Sequence, residues 1–109
     1  MKTKILTANL QIPGNQTATF PFNFGIDYEI HVTELSASGS NFKFNFRLIG
    51  SVEWVATEMM NSNAVFLGYI PFRLPIEFVI PKRGGIEIIA QNILATTNTI
   101  QILFIGYAV

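Results

Sequence analysis

Apolar and polar residues alternate with a period of two along most of the chain. The pattern is cleanest from Phe42 to Leu48, where every second residue is apolar and the residues between them are polar. The same period runs through residues 6–12, 18–24 and 70–80. Strict alternation is typical of a β-strand with one face against a core and the other in water. The chain is therefore predicted to consist mainly of strands.

Turn-forming residues divide this pattern into about eight short strands. The alternation is interrupted at Pro13-Gly14-Asn15, at Gly25, at the small residues 36–40 and at Gly50-Ser51, and no stretch shows the pattern of a three-turn amphipathic helix. Because each strand has one apolar face, two antiparallel sheets must cover one another. The sequence predicts an all-β fold in which residues 1–109 form a single two-sheet sandwich, jelly-roll-like in arrangement. An immunoglobulin-like sandwich is the alternative, weakened by the missing cysteine pair.

The strand over residues 70–80 contains two prolines. Proline has no amide hydrogen to contribute to a sheet, so this strand is predicted to lie at a sheet edge or to run partly unpaired. Residues 81–85 are predicted to form the tip of a hairpin that leads into the next strand. This hairpin would place Glu77 beside Glu87, with basic neighbours as cross-strand ion-pair partners.

The last strand, residues 100–107, is apolar on both faces. A strand of this kind is expected at the centre of a sheet or against a partner. Leu103, Ile105 and Tyr107 are its candidate interface residues.

The composition favours association between copies of the chain. Half of the residues are hydrophobic, only 13% are charged, and seven basic residues balance seven acidic ones. This charge content is about half the usual share in a soluble domain. Two explanations apply together: uncharged Asn, Gln, Ser and Thr residues cover part of the surface, and another part is buried against other copies or partners, as in a homo-oligomer. The basic residues are dispersed, so nucleic acid is not predicted to be a main partner.

The sequence lacks cysteine and any long apolar segment. The absence of cysteine excludes disulfides and thiolate chemistry. No run approaches the ~20 apolar residues of a membrane-spanning helix, and the first residues lack the apolar stretch of a signal peptide. We therefore expect a protein that is made in the cytoplasm and has no membrane span.

No set of residues predicts catalysis. His31 is the only histidine, and its position between Ile30 and Val32 turns it away from the predicted core. No nucleophile motif accompanies it, and the scattered carboxylates favour ion pairing over paired acid–base chemistry. A lone histidine with dispersed glutamates is also a poor metal site. The sequence therefore predicts no enzyme activity, no cofactor, no metal and no small-molecule ligand.

The C-terminal part of the chain resembles that of small β-sandwich virion proteins of bacteriophages. The resemblance is carried by residues 75–92, an apolar strand, a Gly84-Gly85 tip and a second strand ending in Asn92, and by the last strand, which closes with Gly106-Tyr107. It implies a capsid, head-decoration or head–tail component that works as a homo-oligomer together with other virion proteins. It also implies a location in the virion after synthesis in the host cytoplasm.

Three aromatic residues predict a different function. Trp54, Phe66 and Tyr69 lie in or near predicted loops, where aromatic rings can stack on sugar rings. They would serve as the ligand platform of a carbohydrate- or receptor-binding module. Packing in the core or in an interface is the other explanation for these rings.

Overall fold

The fold is given by a computed structural model that describes residues 2–66 and 70–109. The chain has one described helix, of a single turn, over Ser62–Val65. The side-chain oxygen of Asn61 accepts a hydrogen bond from the Asn63 amide at 2.9 Å and so caps this turn. The elements, in chain order, are β1 (Lys2–Ile12), β2 (Thr17–Asn23), β3 (Ile30–Ser38), β4 (Phe42–Leu48), β5 (Met60–Asn61), α1 (Ser62–Val65), β6 (Phe72–Ile80), β7 (Gly85–Asn92) and β8 (Asn98–Ala108).

The strands form two antiparallel four-stranded sheets that pack as a sandwich. Sheet A has the order β1-β8-β3-β6, and sheet B has the order β2-β7-β4-β5. The first strand pairs with the last, the second with the seventh, the third with the sixth and the fourth with the fifth. This is the strand pairing of a jelly roll, so the predicted eight-stranded, jelly-roll-like sandwich is confirmed. The predictions of an edge position for β6 and a central position for β8 are confirmed as well.

The core lies between the sheets and is built from alternate residues of the strands. In β1 the even-numbered residues from Leu6 to Ile12 are buried, while the odd-numbered residues between them are exposed. β4 buries the phenylalanines at alternate positions, as its pattern predicts. One of them, Phe46, meets Phe78 and Phe104 of sheet A edge-to-face, at centroid distances of 5.0 and 5.3 Å. Aromatic pairs favour this geometry, and the Phe46 ring therefore joins the two sheets.

The pairing of β3 with its two neighbours is interrupted at one point. Between Val32 and Glu34 the register shifts against both β6 and β8. On β6, residues 74–77 are left without a partner in β3, so this part of the edge strand bulges. Gly106 of β8 lies beside this interruption, and a Cβ atom at its position would collide with the carbonyl group of His31. Only glycine allows this close approach of the two backbones.

The predicted hairpin of residues 70–90 is wrong. β6 belongs to sheet A and β7 to sheet B, so the chain crosses between the sheets after β6. Glu77 and Glu87 consequently lie in different sheets. Alternation shows which face of a strand is apolar, but it does not specify the neighbouring strand. β7 instead pairs with β2 and β4, and on the β2 side the Phe22 carbonyl lies so close to Gly85 that a side chain has no room there.

The role of Phe46 leads to a stability prediction. We expect Phe46→Ala to lower the free energy of unfolding by about 3–5 kcal/mol, because it leaves a cavity between the sheets. Phe22→Ala is the matched control, since Phe22 lies on the edge strand β2 and is only half-buried. Its loss should be clearly smaller. Urea unfolding followed by circular dichroism measures both values, and equal losses would contradict the central role of Phe46.

Candidate functional site

The bulge of β6 places Glu77 on the outer face of sheet A, next to His31 and Tyr107. His31 Nδ1 donates a hydrogen bond to Glu77 Oε2 at 2.8 Å, and the Tyr107 hydroxyl donates to Glu77 Oε1 at 2.7 Å. The rings of His31 and Tyr107 stack with 5.1 Å between centroids and 20° between planes. His31 Nε2 lies 3.4 Å from Glu29 Oε2. We call these four residues the His31 cluster.

Hydrogen bonds within the His31 cluster shift the pKa values of its members. The Glu77 carboxylate accepts a hydrogen bond from the imidazole and raises the pKa of His31 above its ordinary value of 6.5, although burial acts in the opposite direction. The hydrogen bond from Tyr107, followed by that from His31, lowers the pKa of Glu77 below 4.5. The same carboxylate raises the pKa of the Tyr107 hydroxyl above 10.0. Hydrogen bonding to the charged carboxylate is thus the dominant effect in this cluster.

The His31 cluster is a closed hydrogen-bond network. Both imidazole nitrogens face carboxylates, and both oxygens of Glu77 accept hydrogen bonds. The network ties β3, β6 and β8 together beside the bulge. The outward direction of His31 agrees with the alternation of its strand. Sequence reasoning missed the partnership with Glu77, because the bulge that creates it depends on the register of three strands.

Two long segments without charged residues lie next to each other in the fold. Residues 5–26 and residues 88–109 contain no Asp, Glu, Lys, Arg or His. The jelly-roll pairing brings these two segments together, since β1 lies beside β8 in sheet A and β2 lies beside β7 in sheet B. A short turn joins β1 to β2, so both edges belong to the same side of the sandwich. We call this region the uncharged side.

The outer face of sheet A carries the candidate interface residues. Leu103 and Ile105 project from the central strand β8 and are half-buried. Ile5, directly beside Ile105 on β1, has 56% of its surface exposed. Tyr107 differs from the other candidates, because its hydroxyl group donates a hydrogen bond to Glu77. Ile5, Leu103 and Ile105 together are called the apolar stripe.

An open groove lies between the bulge of β6 and the connection from β4 to β5. Its volume is about 450 Å³, and its walls are mainly apolar, with Leu48, Trp54 and Val55 on one side and residues 74–78 on the other. Glu53 and Glu77 are the acidic residues of its lining, the second of which also belongs to the His31 cluster. A concave, mostly apolar surface with a few polar groups is the usual form of a ligand site.

Trp54 is held at the groove by contacts with β4. The Arg47 guanidinium lies over the Trp54 ring, 4.1 Å from its centroid, in a cation–π contact. The Asn45 side chain accepts a hydrogen bond from the Ala56 amide at 3.1 Å and donates one to the Ala56 carbonyl at 2.8 Å. These bonds fasten the β4–β5 connection to the edge of β4. Asn45 is only 4% exposed for this reason, although its strand pattern predicts a position in water.

The described members of the predicted aromatic platform lie apart. Phe66 packs on the core rings of Phe42 and Phe44, at centroid distances of 6.1 and 5.4 Å, and is not part of the groove wall. Trp54 lines the groove. Tyr69 lies outside the described residues. Trp54 is therefore the member of this set that is positioned to contact a ligand in the groove.

The described residues form neither a metal-ion site nor a membrane-spanning helix. In residues 2–66 and 70–109, no group of three or more His, Asp or Glu side chains is arranged to hold a metal ion. No helix in the same part of the chain is long and apolar enough to cross a membrane. Comparison of the chain with protein-family models, with curated proteins and with solved structures finds no match. The features available for function are the apolar stripe on the uncharged side, the groove and the His31 cluster.

The pKa shifts in the His31 cluster predict how stability depends on pH. Since folding raises the pKa of His31, its contribution is fully present below its ordinary value of 6.5 and is lost as the pH rises through the folded value. Folding lowers the pKa of Glu77, so the contribution of Glu77 is present above 4.5 and is lost as the pH falls. The cluster should therefore stabilise the fold most between these two values.

Glu77→Gln tests this prediction. We expect the imidazole titration of His31, followed by proton NMR, to return towards its ordinary value, because the accepting carboxylate has been removed. The loss of stability on raising the pH should shrink in the same variant. Glu87→Gln is the control, since Glu87 faces Arg47 in the other sheet, with 3.6 Å between Oε1 and Nε. An unchanged His31 titration in Glu77→Gln would contradict the assignment.

Proposed function

We propose that the protein is a structural subunit of a bacteriophage virion, as a capsid, head-decoration or head–tail component. It acts through contacts with copies of itself and with other virion proteins. The uncharged side is the observation that carries the assembly role in this proposal. Charged side chains are depleted from the centres of protein interfaces, because their burial is costly. A side without charge that also presents the apolar stripe is suited to being covered by another subunit.

On the outer face of sheet A, the charged residues are confined to the half formed by β3 and β6. The charged residues of this face lie on β3 and β6, where they include Glu34, Arg73 and Glu77. The β1–β8 half has uncharged residues in every outward position from Thr3 to Gln11 and from Thr99 to Tyr107. Contact between subunits is therefore favoured on the β1–β8 half.

The fold is compatible with this role. Jelly rolls form viral capsid domains, and they also form lectin domains. Since one fold serves several functions, the virion assignment depends instead on the likeness of the C-terminal strands to bacteriophage virion proteins. No catalytic step is required of a subunit of this kind.

The proposal predicts self-association that depends on the apolar stripe. Light scattering after size-exclusion chromatography should give a mass above the 12.2 kDa of one chain, rising with concentration. Ile105→Thr should shift association to higher concentrations, because it removes about 1 kcal/mol of apolar burial per side chain. Val79→Thr is the control, since Val79 is half-buried on the same face but lies on β6. A mass of one chain at every concentration would overturn the proposal.

The groove supports a second candidate function, the binding of a carbohydrate or receptor. A tryptophan ring beside two carboxylates can stack on a sugar and accept hydrogen bonds from its hydroxyl groups. Trp54, Glu53 and Glu77 supply these groups at the groove. This function needs an open groove and does not need self-association, so the two candidates differ in their requirements.

Trp54 provides a direct test of the second candidate. The chain has one tryptophan, so its fluorescence reports on the groove alone. A glycan identified on an array should change this emission saturably, and Trp54→Ala should abolish its binding. Phe66→Leu is the control, because Phe66 is not part of the groove wall. An array without any bound glycan, or binding that survives in Trp54→Ala, would contradict this candidate.

A further inference from the structure

We propose that β1 pairs edge to edge with β1 of a second copy, in antiparallel orientation about a twofold axis, so that sheet A continues across both molecules. The inference rests on the proposed function as an assembly subunit and names the contact that begins the assembly. Two observations support it. β1 is less protected against pairing than the other sheet edges, and its unpaired backbone amides and carbonyls point outward.

Three of the four sheet edges are protected against pairing. β5 has only two residues. β2 contains Pro21, and β6 contains Pro75 within its bulge. Short strands, prolines and bulges are the usual devices that keep a sheet edge from adding another strand. β1 has neither a proline nor a bulge, because its eleven residues pair with β8 without a break, and its two charged residues, Lys2 and Lys4, lie at one end.

The backbone groups of β1 that face outward can be identified from the bonds of its neighbour. The amide of Val109, which directly follows β8, donates to the Glu29 carbonyl at 3.1 Å, and the Ile105 carbonyl in β8 accepts from the Thr33 hydroxyl at 3.3 Å. Odd-numbered residues of β8 therefore face β3, and even-numbered ones face β1. Even residues of β8 pair with even residues of β1, so the even residues of β1 form the hydrogen bonds to β8. The odd residues of β1 therefore direct their backbone amides and carbonyls to the free edge of the sheet. These residues are Thr3, Ile5, Thr7, Asn9 and Gln11.

A second copy of the chain fits this edge. The side chains of all five odd residues are uncharged. The lysines of β1 occupy even positions, and Lys4 turns its ammonium group to the Tyr28 ring at 5.3 Å. Antiparallel pairing keeps the lysines of the two copies at opposite ends of the contact. The zero net charge of the chain also removes long-range repulsion between copies.

The pairing that uses all five odd residues is centred on Thr7. It places Thr7 opposite Thr7 of the second copy, Ile5 opposite Asn9 and Thr3 opposite Gln11. Each residue offers one donor and one acceptor, so about ten backbone hydrogen bonds join the copies. Ile5 lies beside Ile105, and the apolar stripes of the two molecules therefore lie on one continuous sheet face.

Disulfide cross-linking tests this register, because the natural chain has no cysteine. Across the twofold axis the Cα atoms of the two Thr7 residues would be about 5.5 Å apart, within the range that a disulfide spans. Thr7→Cys should therefore form a covalent dimer under mild oxidation. Gln11→Cys is the matched control on the same strand and face. Its two copies would lie eight residues apart along the strand, about 27 Å, so they should not cross-link.

A mixture of Thr3→Cys and Gln11→Cys completes the test. These two residues face one another in the proposed register, so the mixture should give the mixed dimer. Equal cross-linking of Thr7→Cys and Gln11→Cys would show random collision and would overturn the inference. Cross-linking of neither, with wild-type protein still associated, would also overturn it while leaving the proposed function intact. A monomeric wild-type protein, in contrast, would refute the proposed function itself.

Thr7→Pro gives an independent check. It removes an amide that faces the free edge and leaves the β1–β8 hydrogen bonds in place, as prolines at sheet edges do. Its mass should fall to that of one chain, with the β-sheet circular dichroism spectrum retained. A folded Thr7→Pro variant that associates like the wild type would overturn edge pairing. If this variant does not fold, the cysteine variants decide the question alone.

Discussion

The two sheets bury each other's apolar faces, and the rest of the structure depends on this packing. Each sheet has one apolar face, and the rings of β4 fill the space between these faces, with Phe46 in contact with Phe78 and Phe104. In the jelly-roll arrangement the first strand lies beside the last and the second beside the seventh. Two charge-free segments at opposite ends of the chain thereby become neighbours, and a surface that no local stretch of sequence contains is created.

One irregularity of sheet A accounts for several features of the opposite side. The register shift between Val32 and Glu34 leaves residues 74–77 out of the β3 pairing, and Gly106 allows β8 to pass close to β3. The resulting bulge carries Glu77 to His31, forms one wall of the groove and interrupts the outer edge of β6. Hydrogen bonds from His31 and Tyr107 to Glu77 connect the bulge to β3 and β8, where the strand pairing is missing. The groove and the protected edge are thus consequences of the same local geometry.

Strand faces could be predicted from the sequence, but strand partners could not. Alternation identifies the buried residues of β1 and β4, because every second side chain points to the same side. It gives no information about which strand lies alongside, and the predicted 70–90 hairpin is wrong for this reason. The pairing of Glu77 with His31 depends on a bulge that no local pattern marks. Asn45 was also beyond local reasoning, since its burial serves a loop that is distant in sequence.

The distribution of protected edges limits how an assembly of this chain can grow. A sheet with two open edges can add strands without end, whereas a twofold pairing that uses the single open edge closes on itself. In sheet A the β1 edge is open, and the β6 edge carries a bulge and a proline. Two copies joined through β1 therefore present only β6 edges at the ends of their common sheet. Growth beyond two copies must use side-chain surfaces such as the apolar stripe, and the geometry of those contacts decides whether the assembly closes into a particle.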